Sequence, residues 1–488
     1  MAELLGYEKL VVLNETSVDS AKTMLVLCSK GKDGVKIHMD SVDAKHMEFL
    51  NGVGAKGTAG ETYVYLGDDK KMVVFVGLGS IEEAENELEL KNVSRKAGAL
   101  AYKAVSHLND VEIALSSEMM CKEVVSGIVL ASYKYDFLDS EEKKGKKVAI
   151  SCKCPEISKA ITIANAQNFA RFLGDTPANL MNPTLFVEYA SKYLGQKKNV
   201  KMEVYDQKFM KESGMNLLLS VAQGSVQEPK FVVAKYRGRG GESVDVSLVG
   251  KGVCFDSGGI SLKPSAKMNR MKGDMLGAAS VLSVIGLASD LGVKMNVDIA
   301  IPLVENMPSG TATKPGDVYV GMNGKSVEID NTDAEGRLIL ADALVYAQKA
   351  NPSYIFDVAT LTGAICVALG DTYMGYFTKD DELSSMIYQS GIEANDPAWR
   401  MPLSKFYLPL MKSNVADLKN TGESREAGSS TAAIFLNEFV DKKFKWAHFD
   451  IAGVSESNGN KAVFGESITG CSVPILIEII EKLSQKIN

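Results

Sequence analysis

The stretch VDVSLVG, residues 244–250, runs directly into KGVCFDSGG, 251–259. The first run is apolar and β-branched, as a strand covered on both faces should be; the second turns polar and carries a glycine pair. The same kind of apolar run returns in MNVDIAIPL (295–303), YIFDVAT (354–360) and KWAHFDIAG (445–453). Between these runs, Ala278, Leu282 and Ile285, and then Leu338, Ala341, Leu344 and Val345, recur at three- and four-residue steps. That spacing predicts helices over 275–290 and 334–350. Strands alternating with helices predict a mainly parallel sheet covered by helices on both faces. Ligands of such sheets sit outside the carboxyl ends of the strands. The polar residues of interest follow those ends.

Working outward, a chain of 488 residues has room for two domains, and 45% hydrophobic with 24% charged residues is ordinary globular composition. Residues 1–156 mix short apolar runs such as TMLVLCS (23–29) and KMVVFVGLG (71–79) with helical stretches near 83–108 and 118–130. The charged run at 136–147 reads as a surface loop before one more strand. ISKAITIANAQNFARFL (157–173) has long helical periodicity and ends at Gly174, Pro177 and Pro183. The expected class is therefore α/β with two domains. A smaller N-terminal α/β domain spans 1–156, a connecting helix and linker 157–190, and a larger C-terminal domain 191–488, built on a central mixed, mainly parallel sheet flanked by helices. VGLGS (76–80) follows a strand but lacks the third glycine of a dinucleotide fingerprint, so a plain strand-to-helix turn is the reading.

Lys and Arg number 54 against 61 acids, a net charge of −7, which argues against nucleic acid as a general partner. No uninterrupted apolar run approaches a membrane span, and MAELLGYEKLVVLNE has no signal-peptide pattern, so the expected location is cytoplasmic. Seven cysteines, scattered and odd in number, do not form a disulfide framework. Cys152 and Cys154 have no second pair to complete a tetrahedral zinc site and read as free thiols. With four histidines and no H-E-x-x-H, G-x-S-x-G or Walker A pattern, the common zinc-protease, serine-hydrolase and P-loop readings fall away.

Two acidic clusters remain. NTDAEGRL (331–338), preceded by Asp330, places Asp333 and Glu335 beside Arg337. Helix capping explains one or two of these acids, but the mutual repulsion of the whole set calls for a cation. GKGVCFDSGGISLKPS from 250 carries Lys251, Asp256 and Lys263, and MKGDM (271–275) adds Asp274 at a helix start. Taken singly, Asp274 reads as a first-turn acid and Lys251 as a lysine at a strand end. Together Asp256, Asp274, Asp333 and Glu335 bring four carboxylates to one sheet edge, a charge that two divalent cations would balance. A neutral lysine ligand, whose reference pKa is about 10.4, requires a cation close enough to hold it deprotonated, and favours zinc or another later first-row metal over magnesium.

These motifs closely resemble the cytosolic leucyl aminopeptidase family of two-metal exopeptidases. The similarity extends through TPANLMNPT (176–184), DVATLTGA (357–364), STAAIFLNEFV (430–440) and WAHFDIAG (446–453). The resemblance implies a metal-dependent enzyme that releases N-terminal, preferably hydrophobic, amino acids from peptides. It puts the tight metal site on Lys251, Asp256, Asp274 and Glu335 and the looser, exchangeable one on Asp256, Asp333 and Glu335. Zinc is the expected ion, with manganese, magnesium or cobalt as further candidates at the looser site. It makes Lys263 and Arg337 the catalytic positions outside the ligand set, the arginine holding a bicarbonate ion as general base. Met271, Thr360, Leu361, Gly363 and Ala452 match the pocket for the first side chain. A homohexamer, a dimer of trimers, is the implied assembly. Leu276 departs from the family's usual glycine, and Ser429 and Ser430 from its usual small residues. Two other classes stay open: a two-metal phosphoesterase, which an acid-rich, histidine-poor site would also suit but against which Lys251 as ligand argues, and a DNA-binding architectural factor, which the resemblance brings in because some bacterial relatives act so, and against which the acidic balance and the intact site argue.

Overall fold

The computed structural model of the chain describes residues 12–13, 21–32, 34–39, 43–108, 111–136, 148–422, 424, 426–459 and 461–487. It divides into two compact units, residues 1–168 with 457–467, and residues 169–456 with 468–488.

The first unit is built on a seven-stranded sheet in the order Val12–Leu13, Val148–Ser151, Val111–Leu115, Thr23–Gly31, Met72–Gly77, Thr62–Leu66, with Gly34–His38 paired to Thr23–Gly31. The helices Glu87–Val105 and Cys121–Ser132 fall where periodicity places them. They approach so closely that a Cβ on Gly98 would stand 1.9 Å from the Val124 carbonyl oxygen, and one on Gly127 would stand 1.9 Å from that of Arg95. The glycines of VGLGS serve packing too, since a Cβ on Gly77 would meet the Thr58 carbonyl oxygen at 2.1 Å. The loop expected over 136–147 lies, from 137 on, outside the described residues. One expectation is corrected: Cys154 is not a free thiol but is joined to Cys121, 33 positions earlier, while Cys152 stays free. The cause is tertiary, because the chain leaving strand Val148–Ser151 passes the start of helix Cys121–Ser132.

The second unit carries a nine-stranded mixed sheet. Its order is Ala398–Arg400, Met374–Phe377, Lys445–Asp450, Tyr354–Ala359, Val246–Gly250, Asn296–Asn306, Lys230–Arg237, Val200–Tyr205, with Gly252–Asp256 beside Asn296–Asn306. The four central strands from Lys445–Asp450 to Asn296–Asn306 are mutually parallel. All five residues of Val246–Gly250 are buried, as a doubly covered strand requires. Val249, Ala300, Ile355 and Ala359 pack with the buried stripe of helix Gly336–Gln348. Their sequence neighbours Leu248, Ile299, Phe356 and Val358 point to the opposite face by strand alternation. Helix Leu276–Leu291 contacts the same three strands, and helix Val473–Ile487 contacts that helix in turn. Among the described residues the stretch Met268–Leu291 is long and apolar enough to cross a membrane, but it is mostly buried inside the protein, as a core helix is.

Candidate functional site

The parallel strands end at one edge, and the predicted polar residues begin there. Lys251 follows Val246–Gly250, Asp256 closes Gly252–Asp256, Thr360 follows Tyr354–Ala359, and Asp450 closes Lys445–Asp450. Asp274 stands between the 3-10 helix Met268–Gly273 and helix Leu276–Leu291. Glu335 directly precedes helix Gly336–Gln348. Two glycines let these elements close up: a Cβ on Gly277 would meet the Val358 carbonyl oxygen at 2.0 Å, and one on Gly336 would meet Lys251 Cε at 2.6 Å.

Lys251 Nζ lies 2.7 Å from Asp274 Oδ1 and 2.9 Å from Glu335 Oε1, and donates to the Thr360 carbonyl at 2.8 Å. Lys263 Nζ lies 2.7 Å from Asp256 Oδ2 and 2.5 Å from Asp333 Oδ1. All five candidate ligands and Lys263 thus form one constellation. The carboxylate oxygens of Asp256, Asp333 and Glu335 can be chosen within 4.8 Å of one another. Asp274 Oδ2 is buried without a hydrogen-bond partner among the described residues, a costly arrangement that a cation would relieve.

Burial and charge crowding set the electrostatics of this edge. Burial, then Glu335, raises the Asp256 carboxyl above its ordinary range, and burial raises Asp274 and Asp333. Burial would raise Glu335 as well, but Lys251 and Lys263 outweigh it and hold it low. For Lys251, burial works downward and loses to Asp274, Glu335 and Asp256, so its ammonium is held above the usual lysine range. To act as a ligand, Lys251 must exchange that proton for the metal.

Arg337 is not the surface first-turn residue that helix position alone allows. It is buried, 7% exposed, with Nη1 donating to the Asn420 carbonyl at 2.7 Å and Nε buried without a partner among the described residues. Burial pulls its pKa down to about 10 against the opposing pull of Glu335 and Asp450. The free Nε is compatible with a bound anion. Asp330 is an exposed bend residue, its N–H held by Asn420.

The constellation opens into a cavity of about 380 Å³ whose wall includes Met271, Thr360, Leu361, Gly363 and Ala452, all five pocket residues read from the sequence. Leu276 also lines it, and a Cβ on Gly174 would meet the Leu276 side chain at 2.8 Å. Ser429 Oγ is 3.1 Å from Thr362 Oγ1.

Sequence reasoning missed the residues that hold these groups in place. Asn306 Nδ2 donates to Asp256 Oδ1 at 2.8 Å and to the Thr332 carbonyl at 3.0 Å. Asn420 Oδ1 accepts from the N–H groups of Asp330 and Asn331, while its Nδ2 donates to the carbonyls of Asn331 and Ala334. Asp450 accepts from the N–H groups of Leu361, Thr362 and Ala452 and from Thr362 Oγ1.

The sequence profile described as "Cytosol aminopeptidase family, catalytic domain" matches residues 168–477, and that of the family's N-terminal domain matches residues 29–142. The chain belongs to the cytosol aminopeptidase family. It is 66% identical over 487 residues to the cytosol aminopeptidase of Encephalitozoon cuniculi, covering 100% of both chains. It is 41% identical over 456 residues to the human cytosol aminopeptidase, covering 90% of this chain and 87% of that one. Among solved structures, the bottromycin maturation enzyme BotP in complex with Mn superposes with a TM-score of 0.84 at 31% identity, covering 95% of this chain and all of that one. A mutant of tomato leucine aminopeptidase gives 0.83 at 29% identity, covering 97% and 96%. The family makes the chain a metal-dependent aminopeptidase, a hydrolase that acts on peptides.

Proposed function

We propose that Lys251, Asp256, Asp274, Asp333 and Glu335 hold two divalent cations, zinc with manganese, magnesium or cobalt at the looser site, and that residues 191–488 form the catalytic domain. The observation that carries this is the single constellation at the sheet edge, with three carboxylates whose oxygens lie within 4.8 Å and a fourth with a buried oxygen unpartnered among the described residues. Lys251, Asp256, Asp274 and Glu335 would serve the tight site; Asp256, Asp333 and Glu335 the looser one. Bound there, such a pair supplies water activation and carbonyl polarisation.

The chain's own side chains do the rest. Lys263 stands between Asp256 and Asp333; with those charges neutralised, its ammonium turns to the scissile carbonyl oxygen and stabilises the charge that develops on it. Arg337 would hold a bicarbonate ion, whose chemistry is that of a general base, through guanidinium donors other than the Nη1 that Asn420 occupies. Met271, Thr360, Leu361, Gly363 and Ala452 receive the first side chain, and their mainly apolar surface favours Leu-like residues. The enzyme works in the cytoplasm as a homohexamer, a dimer of trimers, with the N-terminal domain 1–156 serving assembly. Metal analysis joined to hydrolysis of aminoacyl amides and their N-acetylated counterparts tests the site. Cleavage that needs no metal, or acetylated substrates cut as fast as free ones, refutes it.

A further inference from the structure

A second group of metal-ligand side chains lies in the first unit. Cys121 opens helix Cys121–Ser132, and Cys152 and Cys154 follow strand Val148–Ser151. Of seven cysteines in the chain, these three bring their Sγ atoms within 4.8 Å of one another. Cys121 and Cys154 are each 6% exposed, within an apolar core cluster, and Cys152 is half-buried at its margin. The Cys154 N–H already donates to Cys152 Sγ at 3.3 Å. Isolated buried cysteines behave as small hydrophobes, but three convergent sulfurs, one at a helix N-terminus that favours thiolate, make a donor set for a thiophilic cation.

We propose that Cys121, Cys152 and Cys154 form a thiolate site for a zinc-type cation, of which the Cys121–Cys154 disulfide is the oxidised, metal-free form. A dithiol reductant delivers two electrons and two protons to the disulfide, breaking the S–S bond and giving two thiols, while the reductant closes to its own disulfide. Binding then releases the thiol protons and leaves three Zn–S bonds. The fourth position of a tetrahedral zinc is left to water, on the half-buried side where Cys152 lies. Soft sulfur donors distinguish this site from the oxygen and nitrogen donors proposed for the catalytic pair.

Cobalt(II) added to the full chain is the probe, because only sulfur ligation gives a thiolate-to-cobalt charge-transfer band in the near ultraviolet. The work is done in a Cys366→Ser background, since Cys366 lines the catalytic cavity. The dithiol-reduced, desalted chain should develop the band and saturate at one cobalt beyond the catalytic pair, and oxidation to the disulfide should abolish it. Zinc should displace the cobalt. Cys152→Ser and Cys154→Ser should each weaken cobalt binding at least tenfold. Cys152→Ser, half-buried and outside the disulfide, decides alone if Cys154→Ser does not fold. A reduced chain without the band, or a band undiminished in Cys152→Ser, overturns the assignment.

Discussion

Gly336 stands where an alanine would strike the lysine of the proposed metal centre. A Cβ built there lies 2.6 Å from Lys251 Cε, 2.8 Å from Nζ and 2.9 Å from Cδ. Carbon atoms in contact prefer about 3.5–4.0 Å, so the stem of Lys251 must withdraw by about 1 Å. Its Nζ now sits 2.7 Å from Asp274, 2.9 Å from Glu335 and 2.8 Å from the Thr360 carbonyl. A shift of that size carries it beyond hydrogen-bond and ligand distance of at least one partner. Alanine gains up to about 1 kcal/mol over glycine in a helix, and overpacking costs about 1–3 kcal/mol. The fold should survive with a net loss of roughly 0–3 kcal/mol, while a reacting constellation misplaced by about 1 Å loses on the order of a hundredfold in rate. Metal content by mass spectrometry, kcat/KM on leucine amide and a thermal melt measure the three quantities. Gly310→Ala, where a Cβ meets nothing within 4 Å, is the control and should match wild type. A Gly336→Ala enzyme with full metal and kcat/KM within threefold of wild type would refute the proposed role of Lys251.

Arg337→Ala should keep its metal, lose most of kcat, and respond to added bicarbonate far less than stripped wild type; equal bicarbonate dependence in the two proteins sinks the anion role. Gly363 begins a helix beside the cavity, and a Cβ there meets nothing within 4 Å among the described residues, so Gly363→Leu should fill the space proposed for the first side chain. Its KM should rise about tenfold or more for leucine amide and little for alanine amide, and an unchanged Leu-to-Ala preference counts against the pocket. Asp342 is fully buried, and burial outweighs the N–H groups of Met322 and Leu218 to push it up to about 7. Its folded value exceeds the unfolded value of about 3.9, so the folded chain holds the extra proton and this residue's contribution to stability is lost as pH rises from about 4 through 7. Urea midpoints at pH 5 and pH 8 should differ less in Asp342→Asn than in wild type, and equal differences exclude the assignment.

The catalytic half was legible because its proposed ligands are written in short motifs directly after apolar strands, where period and punctuation both speak. Lys251, Asp256 and Asp274 could be placed at the sheet edge from strand ends and a helix start alone. Asn306, Asn420 and Asp450 could not, since each is a single polar residue whose meaning comes from partners far along the chain; Asn420 acts on residues 86–90 positions away. The motif puts Arg337 beside the acids, but its bond to the Asn420 carbonyl is one that no local pattern shows. The cysteine pairing failed for the same reason, because C-x-C is visible in the sequence and Cys121 lies 33 positions from Cys154.

The brace at Asn420 also bears on the order of events as the chain folds. The proposed ligands at 251–335 are finished only when a residue from the last fifth of the sequence closes four hydrogen bonds around the loop 330–334. Contacts of such long separation repay their closure entropy late, so a partly folded chain lacks a completed ligand set. Metal uptake at the proposed site during refolding should therefore report the docking of Asn420 rather than the folding of any local segment, and a chain cut short before residue 420 should forfeit the site even with every proposed ligand present.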